Sequence, residues 1–247
     1  MSRVDHELDK KIPFSPDRIG IYHDFSAFWI RSLGFLLAHC GERGADAAKD
    51  FLDSMGALYN FAAEVYQKNL STTERPFYIR RPGFILIHAF DPHLMCIPSL
   101  HVMVVIRTYT KFAALLRSLG DEETYAPQIA ELKKGATDIT EAILYVKQHS
   151  VNCIAAAMYA MTCFDGELFP PAEAEDFVSR LFAGGGPDCG EIRNYIENLY
   201  RHFLSENSEA KPWDTPLLNF LQSLPQKGAR LEKNSRSKGI KEGSYGG

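Results

Sequence analysis

Paired cysteines are missing from this sequence. Its five cysteines, Cys40, Cys96, Cys153, Cys163 and Cys189, are odd in number and contain no Cys-x-x-Cys pair. That argues against a disulfide framework or a zinc ribbon and suits a reducing compartment. Long apolar runs are missing too. The opening stretch MSRVDHELDKKIPFSPDR has no apolar core of a secretory signal. A bilayer span needs roughly 18 to 20 uncharged apolar residues. The nearest candidates fall short: FSAFWIRSLGFLLAHC is broken by Arg31, and VNCIAAAMYAMTCF is too brief. A cytoplasmic protein is expected, with a peripheral membrane contact as the other option. Excess positive charge is also absent, because the formal net charge is −4. The chain as a whole therefore offers no footprint for nucleic acid. There is no internal repeat and little strand signal. The run Gly184-Gly185-Gly186-Pro187 lacks the spacing of a phosphate-binding loop and reads as a plain connector.

What remains is helical. The 247 residues, 45% apolar and 23% charged, suffice for one core. Phe25 to Cys40 carries an apolar stripe at Phe28, Ile30, Leu33 and Leu37. Ala45 to Asn69 repeats the spacing with Phe51, Met55, Leu58, Phe61, Ala62 and Val65. The connector STTERPFYIRRPGF follows, and Phe84 to Phe90 suits either strand or helix. Pro98-Ser99 marks a helix start, with Ser99 as N-cap of a helix to about Leu119. Tyr125 to Lys134 reads as a short helix and Thr137 to Cys163 as one long apolar helix. An acidic helix begins after Pro170-Pro171, and Glu191 to Leu204 is amphipathic. The expected organisation is one all-α bundle over residues 1–224 and a disordered basic tail over 225–247.

Three short segments carry chemistry: Lys68 to Pro76, Pro98 to His101, and Lys147 to Cys153. Phosphoryl transfer needs cations around nonbridging oxygens, an in-line nucleophile, and an acid for the leaving oxygen. Lys68, Arg75 and Lys147 supply cations, and Arg grips phosphate through a bidentate fork. Ser99 and His101 stand at an expected helix N-terminus, where free N–H groups favour an anion. His149 offers a nucleophilic ring. Taken singly, each of these residues has an ordinary reading as a solvated charge, a cap or a core histidine.

Their order resembles the superfamily that joins type 2 phosphatidic acid phosphatases, bacterial acid phosphatases and vanadium haloperoxidases. Its first motif, Lys, six residues, Arg-Pro, is matched in full by Lys68 to Pro76. Its second, Pro-Ser-Gly-His, reads Pro98-Ser99-Leu100-His101 here. Of its third, Ser-Arg, five residues, His, three residues, Asp, only His149 stands in place; Ala142 and Ile143 replace Ser-Arg. The resemblance covers roughly residues 60 to 165. It implies a helical fold of that type and a metal-independent phosphatase or phosphotransferase acting on a phosphomonoester, with no cofactor. His149 would attack phosphorus, and His101 would protonate the leaving oxygen. Lys68, Arg75, Ser99 and Lys147 would bind phosphate. Partners would be a phosphorylated small molecule or a lipid headgroup.

Cys153 occupies the place of the Asp that would orient the His149 ring, if the two were four apart on one helix face. Losing the analogous carboxylate of a serine-protease triad costs on the order of 10⁴ in turnover. Two other readings stay open: a degenerate homologue that binds phosphate or a headgroup without turnover, and a helical interaction protein with coincidental motifs. His88, Asp91, His93 and Cys96 are metal-capable residue types in no established zinc pattern, so no metal is expected. Arg80-Arg81-Pro82 is a second basic step, read either as an anion contact or as a solvated connector. The helix bearing Phe28 and Trp29, and the basic tail, are the places where a membrane contact is considered.

Overall fold

Phe51, Met55, Leu58, Ala62 and Val65 recur every three or four residues, and all five are buried. They lie on α2 (Gly44–Lys68), which follows α1 (Ile19–His39). The structure is a computed structural model and describes residues 1–185 and 189–226. The end of the glycine run and the basic tail from residue 227 lie outside the described residues. Helix α1 begins six residues before the expected Phe25, and its inward face is also shifted. Tyr22, Phe28 and Leu36 are buried, whereas Ile30 and Leu37 are more than half exposed.

The remaining helices are α3 (Pro82–Phe90), α4 (Leu100–Leu119), α5 (Ala126–Tyr145), α6 (Val151–Phe164), α7 (Pro171–Arg180), α8 (Cys189–Glu206) and α9 (Thr215–Ser223). The fold is mostly helical. Pro82 opens α3 at a position where its missing N–H costs nothing. Gly120 closes α4 in the left-handed conformation, with φ of 80°. Helix α4 is central, packed against α1, α2, α5 and α6, while α6 also packs against α8. Every residue of α6 from Val151 to Met161 is buried, so it lacks a polar face and forms the core. Strands β1 (Ser2–Arg3) and β2 (Ser71–Thr72) form one short parallel pair, Ser2 opposite Ser71.

The expected division at residues 135–137 is not where the chain breaks. Helix α5 runs straight through Gly135, which stands mid-helix because a Cβ there would lie 2.7 Å from the Phe28 ring of α1. The break falls at residues 146–150 instead. Lys147 adopts a positive φ of 58°, and the Gln148 N–H donates back to the Ile143 carbonyl at 2.9 Å. Ser150 then caps α6, its hydroxyl accepting from the Asn152 N–H.

The N-terminal segment latches this break. The Lys147 ammonium donates to the carbonyls of Asp9 and Ile12. Asp9, largely buried, accepts from the Val151 N–H at 2.9 Å and the His6 N–H at 2.7 Å. Asn152 donates to the Val4 carbonyl at 3.0 Å. Asp9→Ala strands two N–H donors, one of them on the fully buried Val151. Its expected cost is about 2 kcal/mol in urea unfolding. Asp9→Asn keeps one acceptor oxygen and should lose less.

Candidate functional site

Helix α4 begins where the chain leaves the β2 region, and its first turn faces the break between α5 and α6. Ser99 precedes the helix, fully buried, yet its hydroxyl makes no capping bond. Its Oγ lies 3.3 Å from His149 Nε2 instead. The same Nε2 lies 3.3 Å from His101 Nδ1. The two rings stand 5.3 Å apart at 67°. His101 is held from behind by α1, with ring centroids 4.3 Å from Phe25 and 5.0 Å from Tyr22. Two histidines 48 residues apart in sequence therefore share one contact.

A cavity of about 100 Å³ opens beside them, lined by Asp91, His93, Met95, Cys96, Leu100, His101 and His149. At about 30 Å³ per water, this is room for one small polar group, well below the ~300–1,000 Å³ of drug-sized pockets. Asp91, His93 and Cys96 are the lining residues that the sequence offered only as metal-capable types in no established pattern. Asp91 accepts from the His93 N–H at 2.8 Å. The His93 ring is buried, its Nε2 2.6 Å from Thr73 Oγ1. His88 stands apart from this group: its Nε2 accepts from the Tyr78 N–H and its ring faces Phe77. Among the described residues, no three of these side chains converge as ligands for a metal ion. The signal available in sequence was proximity, since Asp91, His93 and Cys96 lie in the short connector that ends at Ser99.

No protein-family model, curated protein or solved structure matches this chain.

The cations divide. Arg75 does not line the cavity but holds one residue that does: Nη2 donates to the Asp91 carbonyl at 2.8 Å, and Nη1 donates to Gln148 at 2.9 Å. Lys68 does not line the cavity. It ends α2 and pairs with Asp214, which is 1% exposed and precedes α9. Lys147 does not line it either, because its left-handed backbone sends the ammonium to Asp9 and Ile12. Both lysines are corrections to the expected phosphate-binding set, and in both the displacing partner is remote in sequence.

The expected geometry of Cys153 changes as well. His149 precedes the cap of α6 and is not helical, so the two residues do not share a helix face. The Cys153 thiol accepts from the Ser150 N–H at 3.5 Å, completing the cap. Asn152, one place before Cys153, is occupied by Val4 and Tyr195. His149 Nδ1 is left buried with no hydrogen-bond partner.

Charge around the cavity follows from burial. Desolvation pushes His101 down to about 4, aided by His23 and His93 and opposed by the Asp91 carboxylate. Burial also holds His149 well below the usual range, reinforced by His101 and His93. Burial acts to raise Asp91, but hydrogen bonds from His93 and the charges of His93 and Arg75 outweigh it and hold the carboxyl low. Near neutrality the cavity thus holds the neutral rings of His101 and His149 beside the Asp91 carboxylate.

The sign of the stability effect follows. The unfolded chain takes up a proton at His101 near 6.5, whereas the folded chain does so only near 4. Stability is complete above 6.5 and is lost as the pH falls toward 4, by about 3 kcal/mol from His101 alone. The urea midpoint should fall between about pH 7 and about pH 5. In His101→Gln, which cannot titrate, the drop should be smaller.

Proposed function

We propose that the cavity takes the phosphoryl group of a phosphomonoester and that His149 Nε2 is the attacking atom. One observation carries this reading: Nε2 lies 3.3 Å from both Ser99 Oγ and His101 Nδ1 at the N-terminus of α4. Three groups of the right chemistry thus meet where backbone N–H groups favour an anion. The motif resemblance to type 2 phosphatidic acid phosphatases supports the same assignment of roles.

In the proposed sequence, the Nε2 lone pair forms a bond to phosphorus as the bond to the leaving oxygen breaks. His101 delivers a proton to that oxygen. The phosphohistidine is then attacked by water, whose proton returns to His101, and phosphate leaves. Ser99 and the first N–H groups of α4 stabilise the equatorial oxygens. Arg75 contributes once a phosphate dianion competes with Asp91 and Gln148 for its guanidinium. The dianion also replaces the desolvation penalty on the imidazoles with a favourable charge. Binding is then linked to proton uptake and strengthens as the pH falls below neutrality.

A second reading, phosphate binding without turnover, is favoured by the unpartnered His149 Nδ1 and by the diverted Lys68 and Lys147. The two separate in one set of measurements on the purified chain with p-nitrophenyl phosphate. Turnover should be abolished in His149→Ala and reduced roughly 10²- to 10⁴-fold in His101→Ala. An acid-labile, base-stable phosphoryl adduct should be trapped on the wild-type chain and not on His149→Ala. No turnover, with phosphate still bound and released by His149→Ala, decides for the binding protein. Neither turnover nor phosphate binding ends both readings.

A further inference from the structure

Helix α3 breaks the rule that a surface helix is polar on its outer side. Phe84 and Ile87 face the core and are buried. The opposite side is apolar as well: Ile85 and Leu86 are each 53% exposed, and Phe90 is 80% exposed. The connector before it adds Phe77, also 80% exposed, and Ile79. Met95, nearly half exposed, continues the surface to the cavity, which it lines. These six are nearly half of the thirteen large apolar side chains exposed among the described residues, gathered between positions 77 and 95. The connector and the helix are held together, since the Phe77 ring lies 5.4 Å from His88 of α3. Scattered apolar residues need no explanation, but a contiguous protruding set does.

Between positions 77 and 95 two arginines, Arg80 and Arg81, stand against one acidic residue, Asp91. From Arg75 to Phe90 there is no Asp or Glu, although the chain carries an excess of four negative charges overall. Arg80 and Arg81 lie between the exposed aromatic and aliphatic residues, and both are exposed. Arg81 meets Asp17, itself a mostly exposed residue. Protruding Phe side chains beside exposed Arg suit an interface that is apolar below and anionic above. A second copy of the chain fits poorly. A two-fold contact places each patch against itself, and here Arg80 and Arg81 would face their own counterparts.

We propose that α3 and its preceding connector form a docking surface for an anionic phospholipid bilayer, with Phe77 and Phe90 inserted and Arg80 among the headgroups. The inference stands apart from the phosphate reading, although the docked face adjoins the cavity. It also moves the membrane contact away from α1, where Phe28 is buried in the core.

Co-sedimentation of the full chain with phosphatidylcholine vesicles, with and without phosphatidylserine, tests it. Binding is expected with phosphatidylserine vesicles and should weaken as salt is raised. Phe77→Ser combined with Phe90→Ser should bind about tenfold or more weakly, and Arg80→Glu should lose the preference for phosphatidylserine. Both changes are at exposed positions, and unchanged helical circular dichroism shows that the variants are folded. Turnover or binding of p-nitrophenyl phosphate should be unaltered by the Phe pair, so failure here is distinguishable from failure of the phosphate site. Wild-type chain that stays in the supernatant overturns the proposal. So does equal binding by the Phe variant, or concentration-dependent dimerisation in sedimentation velocity that the Phe variant abolishes.

Discussion

The satisfied ammonium of Lys147 fixes more of this molecule than any contact in the cavity. A lysine in the left-handed region is disfavoured by its own Cβ. It persists here because Nζ donates to the carbonyls of Asp9 and Ile12, while Asp9 in turn takes the N–H of Val151. The turn so held ends α5, starts α6 and delivers the His149 ring to the first turn of α4. Without the turn, α5 and α6 would continue as one rod and His149 would point wherever helical phase sent it. The N-terminal segment is therefore part of the site, although none of its residues lines the cavity.

Holding the ring in place has an electrostatic consequence. His101 and His149 are buried against each other and beside His93, so protonating one opposes protonating the others. Asp91 relieves this only in part, because its carboxylate is already committed to His93 and Arg75. Cations that would draw an anion inward are engaged elsewhere: Lys68 with Asp214, Lys147 with the N-terminal segment. The cavity at rest is thus weakly charged. On the proposed reading, an incoming anion would gain less from standing positive charge than from protons taken up by the imidazoles and from the N–H groups of α4.

Helices α2 and α4 were legible in the sequence because each advertises itself locally. Their apolar residues keep helical spacing, Pro98-Ser99 marks a start and Gly120 a stop. The resemblance named Ser99, His101 and His149, and the structure brings those three together. The break at 146–150 was not legible. Residues 137–163 contain neither glycine nor proline to mark a stop, and the left-handed Lys147 depends on carbonyls more than 130 residues away. For the same reason the sequence placed Lys68 and Lys147 at a phosphate. Lys68 pairs with Asp214, which lies just before α9 and 146 residues further along the chain. Asp91 and His93 were visible only as metal-capable residue types, in a spacing that matches no established zinc pattern.

The orphaned Nδ1 of His149 decides what the ring can do. A buried N–H without an acceptor costs about 1–3 kcal/mol, whereas an unprotonated ring nitrogen without a donor loses less. A proton placed on Nε2 can be accepted by Ser99 Oγ and His101 Nδ1. That is the wrong nitrogen for attack, since Nε2 needs its lone pair free. An orienting carboxylate at Nδ1 would hold the proton there, as the buried Asp does for the histidine of a serine-protease triad. Cys153 does not take this part, because its thiol is spent on the cap of α6. Any nucleophilic step by His149 thus carries the cost of moving the proton to an unpartnered nitrogen. On the proposed reading that cost would fall on catalysis and not on binding, because an oxyanion could accept from Nε2–H in the place of Ser99.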